Sequence, residues 1–282
     1  MSLTLVLTGL AVFVTHGLEA ITGFGCTVLA LPFVTLLLGI GEAKFLLAIL
    51  AWALALYMAI SKRKRIVWKQ YGVILLFVGL GLPIGMYAFA TLPKALLVKL
   101  LGVFIIISAF LQLWRLFVTP LLAARAKGEG SPAPTAAPAP TAAPVVAAPT
   151  ATAAPSATVA PAPRPIFWYH YALLFIGGIV HGAFASGGPL VVLYASRALP
   201  EKGNFRATLT LLWATLNTVL IIGFAGGGMF TPGHWALLGW MAPFLIGGIV
   251  VGELVHNRMQ GEIFVKIVFV TLFLTGIFMT IL

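Results

Sequence analysis

The segment ITGFGCTVLALPF, from Ile21 to Phe33, interrupts an apolar run that otherwise suits lipid. It places Thr22, Gly23, Gly25, Cys26 and Thr27 close together where a spanning helix would be expected. Glycine costs a helix interior about 1 kcal/mol relative to alanine. In hydrocarbon, a broken helix also leaves backbone N–H and C=O groups without water to satisfy them. Such a break is tolerated where it is buried in protein or lines a cavity. The segment therefore predicts a helix that unwinds at Gly23–Gly25 and restarts near Cys26 as a half-length helix.

The surrounding composition sets the solvent. Of 282 residues, 61% are hydrophobic and only 8% charged, against roughly 25% charged in soluble domains. Apolar runs of bilayer-crossing length recur throughout. The fold class is an all-α polytopic membrane protein in a cell membrane, with the plasma or inner membrane of a prokaryote as the expectation. The first residues are apolar without a basic leader, which predicts a retained first helix rather than a cleaved signal. The net charge of +11 sits mostly in short connections, the positive-inside pattern rather than a nucleic-acid footprint. A single cysteine, Cys26, excludes an internal disulfide and a multi-cysteine metal site. No cofactor is implied.

From Ser131 to Pro165 the sequence is almost entirely Ala, Pro, Thr and Val. Proline at that density opposes helix and sheet alike. The expected organisation is a first transmembrane repeat at 1–118, a disordered cytoplasmic linker at 119–165 and a second repeat at 166–282. The two blocks share one plan. HGLEAITGFG from His16 matches HGAFASGGP from His181. A short apolar stretch follows in each, 26–39 and 188–199, then a full helix, 42–60 and 204–224. Next come helices holding GLPIG from Gly81 and APFLIGGIVVG ending at Gly252, and finally helices with Val98-Lys99 and Val265-Lys266.

If each broken segment forms a re-entrant hairpin followed by three spans, the second repeat is inverted relative to the first. All Lys and Arg except Lys44, Lys94 and Lys99 then share the side of the SKRKRIVWKQ loop, Ser61–Gln70. Single kinked spans would divide the charges almost evenly. Positive-inside favours the inverted arrangement.

Inverted repeats with broken helices bring two half-helix N-termini to the midplane. Those ends carry free N–H donors and a partial positive charge, which suit an anion. The expected substrate-binding residues are Thr22, Gly23, Gly25, Cys26 and Thr27 in the first repeat. In the second they are Ser186, Gly187 and Gly188, with Pro189 fitting the first helical turn. Glycines at these places could equally serve helix packing alone. Glu19 is the one carboxylate well inside a span and is the candidate proton-coupling group, with His16 and His181 beside it. His16 and Glu19, three apart, share a helix face and are expected to pair. Arg206, Thr210, Trp213 and Asn217 form a polar stripe on one face. Asn217 is deep enough to reach a ligand, and Arg206 is expected to snorkel to the headgroups. The matching positions of the first repeat are Lys44, Ala48, Ala51 and Ala55.

These paired glycine-rich segments resemble the repeated signatures of the TauE/SafE family of sulfite exporter-like anion permeases. Gly23, Gly25 and Pro32 match the first motif, with Cys26 where a further glycine is common, and Gly187-Gly188-Pro189 matches the second. The resemblance implies export of a small oxyanion such as sulfite, a sulfonate or a related organic acid. The expected function is a secondary transporter, not an enzyme. Its expected partners are the anionic substrate, the bilayer and protons as coupling ion. Nucleic acid is not among them, and a homodimer is left open. The competing classes are a non-transporting accessory subunit and an intramembrane hydrolase using Ser186 with His181.

Overall fold

The computed structural model describes residues 3–22, 25–128, 165–255 and 262–281. The described residues form ten α-helices and one 3-10 turn, Arg63–Arg65, with no strand among them. They are α1 Leu3–Thr22, α2 Cys26–Leu38, α3 Ile40–Ser61, α4 Trp68–Thr91, α5 Lys94–Gly128, α6 Trp168–Phe184, α7 Gly188–Ala198, α8 Lys202–Gly226, α9 Pro232–Val255 and α10 Glu262–Ile281. Six of the described helices are long and apolar enough to cross a membrane. At 1.5 Å per residue, α2 and α7 reach only about 20 Å and 16 Å. Neither spans a hydrocarbon core of about 30 Å, so both are half-length. The chain is a multi-pass membrane protein.

The helix after GLPIG, α5, continues to Gly128, so residues 119–128 are helical where the sequence pattern predicted the start of a linker. Its aliphatic run to Ala124 outweighs Pro120, and the Pro-dense stretch begins only afterwards. The rest of the expected linker, 129–164, lies outside the described residues.

The main helix pairs are α1 with α9, α4 with α6, α5 with α10 and α3 with α8. Exchanging the first five helices with the last five maps these pairs onto one another. Glycines set the approach. A Cβ at Gly81 or Gly85 of α4 would collide with the Phe175 or Ile179 carbonyl oxygen of α6, and one at Gly178 or Gly182 with α4 in return. Likewise Gly17 of α1 meets Gly248 of α9, and Gly102 of α5 meets Gly276 of α10. Backbones this close gain dispersion contacts, the main attraction between helices that lipid cannot drive together.

The helices α3 and α8 form the buried centre and run antiparallel. Phe45 meets Phe224 at one end, with ring centroids 5.4 Å apart. Trp52 Nε1 donates to Thr218 Oγ1 at 2.9 Å, and Arg65, just past α3, pairs with Glu201 just before α8 at 3.3 Å. On α3, Ala48, Ala51 and Ala55 are buried, and Ala51 shares a cavity with Trp213 and Asn217 of α8. The small alanine side chains leave room beside the two breaks.

Candidate functional site

The first break ends α1 at Thr22 and restarts at Gly25, whose φ of 104° favours glycine. Leu29 N–H to Gly25 O, at 3.1 Å, opens the α2 ladder. The N–H groups ahead of it need other acceptors. One finds a carboxylate of this chain: Cys26 N–H donates to Glu19 Oε2 at 3.2 Å. The expected His16–Glu19 pair therefore does not form. His16 Nδ1 instead donates to the Val12 carbonyl at 2.9 Å, while Glu19 is drawn to the positive end of α2. His16 Nε2 is buried without a partner among the described residues, and His16 is not among the residues lining the cavity described below. The Thr22 side chain and Gly23 lie outside the described residues.

The second break ends α6 at Phe184. Ala185 adopts φ 53°, a left-handed conformation that costs a non-glycine residue of order 1 kcal/mol. Its N–H bonds the His181 carbonyl at 2.7 Å. Helix α7 then starts at Gly188 with Pro189 in its first turn, where no N–H is needed. Gly187 is pressed against the Gly177 carbonyl and His181, which leaves no room for a Cβ there. Gly188 faces open space, with only Trp213 Cζ2 at 4.0 Å from where a Cβ would stand.

Both breaks meet α8 around one cavity of about 20 Å³, lined among others by Glu19, Gly25, Thr27, His181, Ser186, Gly188, Trp213 and Asn217. His181 Nε2 lies 3.1 Å from Asn217 Oδ1, and its ring stacks on Trp213 with centroids 5.6 Å apart. Three polar atoms on these walls are buried and unpartnered: Ser186 Oγ, His181 Nδ1 and Trp213 Nε1. Buried polar groups are nearly always bonded, and these three are exceptions gathered around one cavity.

Of the residues expected from sequence, Glu19, Gly25, Thr27, His181, Ser186, Gly188 and Asn217 line this cavity together. Cys26 adjoins it through its N–H, and its Sγ lies 3.6 Å from Thr27 Oγ1. His16 and Gly187 stand outside it. Trp213 was visible in sequence only as one member of the polar stripe; its buried indole N–H is the addition. Thr210 bonds back to the Arg206 and Ala207 carbonyls, both at 3.0 Å. Ser186 Oγ makes no bond to His181, which is engaged with Asn217, so the hydrolase reading lacks its nucleophile–base contact.

Two buried cations flank the site. Lys44 Nζ donates to the Gly182 carbonyl at 2.7 Å and sits 3.7 Å over the Phe89 ring. Arg206 does not snorkel to headgroups: it is 8% exposed, and Nη2 donates to the Ala20 carbonyl. Each cation crosses to the opposite half and binds the carbonyl one residue beyond His181 or Glu19. Helix C-terminal carbonyls carry partial negative charge and attract such partners.

No curated protein and no solved structure gives a significant match. The model of the family described as sulfite exporter TauE/SafE does match, over residues 7–279. That span is nearly the whole chain and takes in both halves that supply the cavity. The protein thus belongs to the TauE/SafE sulfite exporter family of membrane transporters.

Proposed function

We propose that the chain carries a small oxyanion through the cavity between the two breaks. The observation that supports this most is the pair of unpartnered groups able to donate, Ser186 Oγ and Trp213 Nε1, on residues that line the cavity. Indole N–H is a donor only, and a hydroxyl can donate, so the wall offers hydrogens to an anion. The N-terminus of α7 adds the Gly188 N–H and a partial positive charge. A cavity of about 20 Å³ holds roughly one water. An oxyanion needs more, so α2 and α7 part to admit it and close around it.

The reading includes two inverted repeats, supported by the antiparallel α3–α8 pair and by helix pairings that exchange between halves. Sulfite, organosulfonates and related organic acids are the substrate classes, and export is the direction that the family description favours. Glu19 is the proton-coupling group.

Anion flux in proteoliposomes tests it, with sulfite, sulfate, a short sulfonate and a short carboxylate compared. In Trp213→Phe the ring stays and the N–H goes. Losing a hydrogen bond to a charged group, about 1.5–3 kcal/mol, raises KM at least roughly tenfold. An unchanged KM, or no flux of any of these anions through the wild type, refutes the proposal.

A further inference from the structure

At the end of the molecule opposite Lys44, a cavity of about 1120 Å³ is lined by Lys62, Arg63, Lys64, Arg65, Lys202 and Arg206, among other residues. We propose that this basic cavity is a loading site for the transported oxyanion, with Arg206 as its inner ligand and as the latch on the midplane site. The proposal rests on the midplane reading above and adds a second anion position to it.

Three observations carry it. Arg206 lines this cavity, is more than nine-tenths buried, and its Nε has no partner. A guanidinium offers donors in a fork that matches an oxyanion, and among the described residues the bond given for it is Nη2 to Ala20. Next, the six cations lining the cavity outnumber the described carboxylates that act on them, Glu201 and Glu253. Arg65 pairs with Glu201, while burial and the neighbouring Arg206 hold the Lys62 ammonium below its usual range, with Glu253 opposing. An anion entering the cavity relieves that repulsion.

Last, the two ends differ. Lys44, the counterpart of Arg206, is covered by the Phe89 and Phe224 rings. Nearby, His234 Nε2 lies 3.0 Å from Glu42 Oε2. Among the described residues the large cavity lies at the Arg206 end, and positive-inside assigns that end to the cytoplasm.

The coupling follows from one shared group. Ala20 directly follows Glu19, whose carboxylate caps α2. An anion that binds the Nε–Nη2 edge of Arg206 competes with the Ala20 carbonyl for Nη2. Losing that bond frees the last turn of α1 and so loosens Glu19 from Cys26. Loading at the cavity thereby opens the midplane site.

The test uses the full chain in proteoliposomes with sulfite and sulfate as probes, presented to each face in turn. The Lys62→Gln/Lys202→Gln pair leaves Arg63, Lys64 and Arg65 to hold topology. It raises KM from the cavity face roughly tenfold, with the limiting rate and the opposite face unchanged. Arg206→Gln raises KM and lowers the limiting rate, and Arg206→Lys restores part of both. If Arg206→Gln does not fold, the lysine pair alone decides. An unchanged KM, or an equal rise from both faces, overturns the loading site. So does an effect that vanishes in vesicles of neutral lipid, since the cavity then holds an anionic lipid headgroup. A one-faced KM rise beside a Trp213→Phe variant with wild-type KM keeps the loading site and rejects the midplane wall.

Discussion

Glu19 occupies the place that an anionic guest would take at the N-terminus of α2, with Cys26 N–H as its donor. Charged, it fills that donor and repels an anion from the cavity. Protonated, it weakens its hold and removes the repulsion, so anion and proton enter together. Acidifying the face that supplies the anion should therefore speed flux. Glu19→Gln, neutral at every pH and similar in shape, should flatten that pH profile while keeping anion binding. A profile that persists in Glu19→Gln sinks the coupling role. At this scale the sequence was informative where chemistry is local. Glu19, Ser186 and Asn217 stood out as polar groups in apolar runs. Arg206 and Lys44 were visible as charges at matching positions, but their partners were not, because the Ala20 and Gly182 carbonyls belong to the opposite half and follow no spacing rule.

Helices depend on the glycine seams more than on apolar side chains, because lipid tails compete with every Leu–Leu contact. The α4–α6 seam is the tightest, with Gly81 and Gly85 facing Gly178 and Gly182. Its position also fixes His181, one residue from Gly182. Gly85→Leu must push the two backbones apart, an overpacking that costs about 3 kcal/mol. The thermal unfolding midpoint in detergent should fall by several degrees and transport should drop with it; wild-type stability would show that α6 yields freely. Leucine at Gly72, which meets nothing nearby, should leave both unchanged. The motif GLPIG was legible as a packing signal, and both breaks were legible as half-helix starts. Which helix each seam faces was not, because one chain's small-residue spacing is compatible with many partners.

The strongest helix pairs, α1–α9, α4–α6, α5–α10 and α3–α8, all join one half of the molecule to the other. Within each half, contacts are mainly the local ones of consecutive helices, such as α1–α2, α2–α3 and α6–α7. The repeat was readable from the recurrence of His-Gly and the glycine break. The interlocking was not, because it depends on contacts between segments far apart in sequence. It makes each half incomplete alone: α4 without α6 exposes Gly81 and Gly85 to lipid, and α1 without α9 exposes Gly17. Arg206 and Lys44 would also lose their carbonyl partners, leaving buried charge uncompensated at several kcal/mol each. We propose that the Ala/Pro segment between the halves is a cytoplasmic tether that raises their effective concentration and adds no contact of its own. Cutting the gene within residues 131–164 and producing both pieces together should then restore a transporter with wild-type KM at reduced yield. Either piece produced alone should be degraded. Copurification through a tag on one piece, followed by flux in proteoliposomes, reads both outcomes. A first half that is stable and transports by itself would mean that the cavity needs no second break, against the placement of Ser186, His181, Trp213 and Asn217 on its wall.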